Sequence, residues 1–295
     1  MFGVATKYGA NVTNENEEPQ VENDRSLRTE FGSSSFSSSS FGPTQRLSVL
    51  FTPWGEALHR VRYQKALRAL ALMPHVAFVG IQTNLSIAPT WASDLPATAL
   101  EKLGLWATCH PTETSVRSFI SRVQRALDLG VGLSIGVVAT KEHLDLVDDF
   151  AKALLGIGTS LQWINAYKRG YRTPRDYYYP AELARLAELD PWFANDLLGE
   201  RSAGRPCDTG TSTISIDGDG EVTRCHFTKR RLGNLYIDDL SNILAPEGTN
   251  NPCPLLECNC FQGYVHLTDT SLHDTFRSTT ALSRRPLLAV SNHAR

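Results

Sequence analysis

The sequence predicts an α/β fold, a parallel sheet covered by helices, with a small cysteine-rich segment behind it. Three observations carry this reading. Short continuous apolar runs alternate with amphipathic helical stretches between residues 47 and 164. Those runs lack the polar alternation of half-exposed strands, so both faces of the sheet are expected to be covered. Five of the six cysteines fall between 207 and 260, behind a hairpin signal.

The elements follow in order. Residues 1–46 are Ser-, Asn- and Glu-rich, include Ser33-Ser34-Ser35-Phe36-Ser37-Ser38-Ser39-Ser40, and keep no helical or strand period. They are read as a disordered segment. Leu47-Ser48-Val49-Leu50-Phe51 is a buried-strand pattern, and 56–73 form a helical stretch with few breakers. Val76-Ala77-Phe78-Val79-Gly80-Ile81 reads as the next strand, 93–102 as a short helix and Leu105-Trp106-Ala107 as a weaker strand. Val116, Phe119, Ile120, Val123 and Leu127 then form one apolar helical stripe. A strand over 133–138, a helix striped by Leu144, Val147, Phe150, Ala151 and Leu154, and a strand over 161–164 complete the series. Periodicity alone fits a barrel or an open doubly wound sheet equally. Past about 200, Thr213–Asp217 and Glu221–Cys225 flank Gly218-Asp219-Gly220, a strong hairpin signal.

Composition narrows the function. The 295 residues carry a net charge of −2 and 41% hydrophobic residues, so no basic field points to nucleic acid or to an anionic membrane surface. No apolar run is long enough to span a bilayer. The amino terminus shows no basic stretch followed by an apolar core, so a cytoplasmic, reducing setting is the expectation.

In that setting clustered cysteines point to metal rather than to disulfides. Cys207 precedes the hairpin and Cys225 ends its second strand, while Cys253-Pro-Leu-Leu-Glu-Cys258-Asn-Cys260 adds three thiols in one loop. Four converging thiolates suit a cubane iron–sulfur cluster and tetrahedral zinc alike. Cys207 and Cys225 are expected as ligands first, with two of Cys253, Cys258 and Cys260.

The spacing Cys207-x12-Gly220-x4-Cys225, followed by Leu232-Gly233-Asn234-Leu235-Tyr236 and the late cysteines, resembles the SPASM/twitch extension of radical S-adenosylmethionine (SAM) proteins. That resemblance implies an auxiliary 4Fe–4S cluster. Upstream, Phe51-Thr52-Pro53-Trp54-Gly55-Glu56-Ala57 resembles the family's Gly-Gly-Glu-Pro motif, which holds the amino group of SAM, and Gln82-Thr83-Asn84 resembles its Thr-Asn-Gly. By resemblance, Trp54, Gly55, Glu56 and Asn84 are cofactor-binding candidates. The family's Cys-x-x-x-Cys-x-x-Cys, which leaves one iron open for SAM, occurs nowhere in the sequence. The resemblance therefore implies a partial (β/α) barrel of radical SAM type lacking its first strand (47–200), a cysteine-rich β-hairpin cluster domain (201–275) and a tail (276–295). It implies reductive SAM cleavage and hydrogen abstraction in the intact family, with a peptide or small-molecule substrate and an electron donor, and inactivity here. The alternative is a non-catalytic protein that binds zinc or a 4Fe–4S cluster.

Other residues read more plainly. Cys109 with His110 is expected to be packing rather than a nucleophile pair. Gly130-Val-Gly132 and Gly156-Ile-Gly158 lack the setting of phosphate loops and read as helix C-caps. Tyr177-Tyr178-Tyr179-Pro180 reads as a loop packing against a helix start, and His266 as a hydrogen-bonded structural residue.

Overall fold

The computed structural model describes residues 2–7 by backbone alone, and 47–166, 177–228, 230–244, 251–259 and 265–273. Nine strands of these residues form one sheet. In chain order they are β1 (Phe2–Lys7), β2 (Leu47–Phe51), β3 (Val76–Thr83), β4 (Leu103–Cys109), β5 (Gly132–Ala139), β6 (Trp163–Ala166), β8 (Thr213–Asp217), β9 (Glu221–Thr223) and β10 (Arg231–Asn234). A separate two-stranded pair joins β7 (Glu200–Arg201) to β11 (Glu257–Cys258). The order across the large sheet is β10-β9-β8-β1-β2-β3-β4-β5-β6. All neighbours from β8 to β6 run parallel, and β9 and β10 add an antiparallel meander. Among the described residues the sheet does not close on itself, and β6 and β10 are its edges. This is the partial (β/α) barrel.

The amino terminus needs a correction. Phe2–Lys7 is not outside the fold; it sits between β2 and β8, with Thr6 opposite both Phe51 and Ile216. The position expected to lack a strand is filled. The run Phe2-Gly3-Val4-Ala5-Thr6 has the small and β-branched residues a covered strand takes, but six residues ahead of a long polar stretch gave no period to read. The rest of that segment, 8–46, lies outside the described residues, as do Cys260 and the tail from 276.

Helices cover one face. Those between β2 and β6 are α1 (Val61–Leu72), α2 (Ala97–Leu100), α3 (Val116–Asp128) and α4 (Leu144–Gly156), followed by α5 (Pro180–Leu189), α6 (Phe193–Leu198) and α7 (Leu240–Ile243). The helical stretch expected over 56–73 is broken: a 3-10 turn over Ala57–His59 ends at Arg60, whose extended backbone starts α1. Pro96 starts α2 later than expected, since a proline suits a helix start and disrupts its interior. Ser115 caps α3, its hydroxyl accepting the Ser118 N–H. The stripe is borne out: Phe119 and Val123 of α3 and Val147, Phe150 and Leu154 of α4 are buried, with the Phe119 and Phe150 rings edge-on at 5.5 Å. Truncating Phe119 to Ala would cost about 3–5 kcal/mol.

Strand alternation sorts the two faces. Val49, Phe51, Val79, Ile81, Leu105, Ala107, Ile135 and Val137 pack with the helices. Leu50, Phe78, Trp106 and Trp163 point the other way and pack with Cys253, Cys258, Val265, Leu267 and Leu272. The carboxy-terminal cysteine region therefore lies on the sheet's second face. The wide Trp163 ring fits there because Gly136 faces it; a Cβ on Gly136 would lie 2.1 Å from the ring. The edge strand β6 is closed without a further strand: buried Asp190 and Asp196 accept the Ile164 and Ala166 N–H groups, each at 2.8 Å. No helix of the described residues is long and apolar enough to cross a membrane.

Candidate functional site

Parallel strands bring their carboxy-terminal ends to one rim, where ligands of α/β folds bind. Glu56 lies in the loop after β2. Its Oε1 accepts the Leu58 N–H at 3.0 Å, and its Oε2 accepts the Thr83 hydroxyl and the Asn84 N–H, both at 2.7 Å. Three donors from two loops thus fix one half-buried carboxylate. An ionised carboxylate has about four acceptor positions, so one remains for a cationic ligand group.

The β3 loop is shaped to present those donors. Thr83 is buried, and its Oγ1 both donates to Glu56 and accepts the Leu85 N–H at 2.9 Å. Leu85 has φ +56°, in the left-handed region that a side chain other than glycine enters at a cost. Its fully buried side chain and the Thr83 bond hold it there. The Asn84 carboxamide serves its own turn, Oδ1 accepting the Ser86 N–H at 2.8 Å. Asn84 therefore contributes to the rim through its backbone. Gly55 has φ +69°, and Trp54 is exposed at 70% of its surface, too open for a core residue. Sequence reading named Glu56 and quoted Thr83 within Gln82-Thr83-Asn84 without making it a candidate; a hydroxyl residue closing a largely apolar strand was the available signal.

The same rim bears on the absent motif. Thr6 of β1 pairs with Phe51 of β2, so the chain leaves β1 beside the Glu56 loop. Residues 8–46, which follow β1, contain no cysteine. The residues present do not fit a SAM-chelating cluster.

The late cysteines meet one another only in part. Cys253 and Cys258 are buried in the apolar cluster on the second face, and Cys207 packs at its margin. The Cys207 thiol is pushed up mainly by burial; the Thr209 hydroxyl at 3.2 Å and the Arg224 charge oppose this, and neighbouring Cys253 adds to it. Cys225 is outside that cluster, its Sγ 3.6 Å from the Thr228 hydroxyl. Among the described residues no three His, Cys, Asp or Glu side chains gather as a metal site. These thiols alone do not complete a four-ligand site, and Cys260 falls outside the described residues.

The plainer readings fare well. Cys109 is fully buried among the helix-side core, and burial pushes its thiol up to about 12, an inert packing residue. Burial holds His110 below its usual range. Tyr179 caps α5, which starts at Pro180, and Tyr178 donates its hydroxyl to the Ala139 carbonyl. His266 is buried, its Nδ1 3.5 Å from the Thr213 hydroxyl.

No protein-family model matches the chain, and no curated protein sequence does. Solved structures do. Streptococcus suis SuiB bound to the precursor peptide SuiA is 14% identical, with a TM-score of 0.51, covering 83% of this chain and 65% of SuiB. SuiB bound to S-adenosylmethionine is 13% identical at a TM-score of 0.45, covering 66% of this chain and 54% of that one. Native anSMEcpe with bound AdoMet is 17% identical at 0.45, covering 69% and 67%. The SuiB–SuiA likeness shows a shared fold.

Proposed function

We propose that this chain is a radical SAM-type protein that holds SAM by its ammonium group without cleaving it. The observation that carries the reading is the Glu56 carboxylate, fixed by Leu58, Thr83 and Asn84 at the strand ends with one acceptor position left. A fixed, half-buried carboxylate favours an ammonium because little reorganisation is needed on binding. The fold shared with SuiB and the resemblance of Trp54-Gly55-Glu56 support SAM as the ligand. In an intact family member, SAM supplies a deoxyadenosyl radical once an electron reaches it from the chelating cluster. Here the residues following β1 lack the thiols for that cluster, so this chain's part is to bind and orient. By analogy with SuiB and its precursor peptide, the substrate or partner is a peptide.

Cys207, Cys225, Cys253, Cys258 and Cys260 remain the proposed ligands of an auxiliary 4Fe–4S cluster or of zinc. The shared apolar surroundings of Cys207, Cys253 and Cys258 support these three as members of one ligand set. The binding proposal is tested by calorimetric titration of SAM into the full chain and into Glu56→Gln. Saturable binding that the variant weakens about tenfold or more agrees with loss of a charge-assisted contact. Equal affinity in both proteins refutes the assignment.

A further inference from the structure

Away from the strand-end rim, the hairpin side of the sheet holds an unusual concentration of positive charge. Arg224, immediately after β9, is only 5% exposed. Its Nε donates to the Thr209 hydroxyl at 3.0 Å, Nη1 to the Pro252 carbonyl at 2.8 Å and Nη2 to the Asn251 carbonyl. A guanidinium carries five N–H groups, so two remain. All three acceptors are neutral, and among the described residues no carboxylate pairs with Arg224. Arg230 and Arg231 reach the same place. Arg231 lies 3.7 Å from a Glu221 oxygen, an exposed pair that screens little of the charge.

These three arginines, with Gly210, Asn242 and Asn251, line one side of a cavity of about 380 Å³ whose remaining wall is apolar, made by Leu232, Ile243 and Leu244. Its walls are built. Gly210 has φ +87°, and a Cβ there would lie 3.1 Å from the Arg224 side chain and 3.2 Å from the Asn251 amide nitrogen. The missing side chain lets the loop close over Arg224. The Asn251 Nδ2 is held by the Thr209 carbonyl at 2.7 Å.

Among the described residues the one ion pair made by these three guanidiniums is that of Arg231 with Glu221, and the surplus positive charge favours an anionic ligand. A phosphoryl dianion matches it better than a single carboxylate, and its oxygens suit the forked donors. The volume is that of a small-ligand site. We propose that this cavity is an oxyanion site that takes the phosphoryl group of a small phosphorylated ligand. It stands independently of SAM binding at the rim.

The test is calorimetric titration of the full chain with pyrophosphate, alongside succinate and an acidic hexapeptide. The expected result is saturable one-to-one binding of pyrophosphate, weakened about tenfold or more by Arg230→Gln with Arg231→Gln. Both residues are exposed, so circular dichroism should be unchanged. Asn242→Asp, which adds a like charge without removing an arginine, should weaken binding too, while Arg117→Gln on α3 should not. The proposal is overturned if no saturable heat appears up to about 10 mM, or if the double variant binds as well as the parent. Tighter binding of the hexapeptide would also overturn it, assigning the cavity to an acidic protein segment.

Discussion

Glu56 and Leu85 show how two side chains set the rim. Replacing Glu56 by Gln turns one acceptor into a donor facing N–H and O–H donors, so its effect exceeds the loss of charge. Stability should fall by about 1–3 kcal/mol, read from urea unfolding, alongside the loss of SAM affinity. At Leu85 two effects compete. Glycine would relieve about 1–2 kcal/mol of left-handed strain, but removing a buried leucine costs about 2–5 kcal/mol. Leu85→Gly should therefore destabilise by a net of about 2 kcal/mol, the midpoint of a span of roughly 0–4 kcal/mol, in the same measurement, cavity cost outweighing relief. Glu56 was legible because the segment Trp54-Gly55-Glu56-Ala57 after the first apolar run resembles the Gly-Gly-Glu-Pro motif. Thr83 and the arginines were not, because their roles depend on contacts between residues distant in sequence: Thr83 with Glu56, and Arg224 with Asn251 and Pro252.

The elements that read well were those with a period. The strands at 47–51, 76–83 and 132–139 are apolar runs, and α3 and α4 are single stripes. Those that read poorly take their stability from neighbours. The four residues of β10 pair with β9, and β1 is held between β2 and β8. Hydrogen exchange decides the status of β1. The amides of 2–7 should exchange slowly, as in a strand paired on both sides; rapid exchange there would return the segment to the unfolded reading. A second prediction belongs to the packing of β5 against β6. Gly136→Ala drives a methyl into the Trp163 ring and should cost about 1–3 kcal/mol by overpacking, checked by chemical unfolding.

At the scale of the whole molecule, acid should loosen the contact between the sheet and its carboxy-terminal segment. Burial lowers His266 to about 4 from its usual 6.5. The unfolded chain then binds the proton more readily than the folded one between those values. Its contribution is complete above about pH 6.5 and is lost as pH falls toward 4, an effect on the order of 3 kcal/mol. The melting temperature should drop across that window, and His266→Phe should flatten the drop.

The fold class was legible because a parallel sheet writes itself as alternating apolar runs and stripes. Whether the sheet closes was not, since closure depends on long-range pairing such as that of β1 with β8. That pairing also changes the meaning of the missing cysteines: the strand they would follow is present, and residues 8–46 behind it hold none. The central claim, SAM binding without cleavage, is tested most directly by an anaerobic assay. Iron–sulfide-reconstituted full chain is incubated with SAM and a strong reductant, and 5′-deoxyadenosine is followed by chromatography. The account predicts no product above the no-protein control; deoxyadenosine above that control, lost on Cys207→Ala or Cys225→Ala, would contradict it.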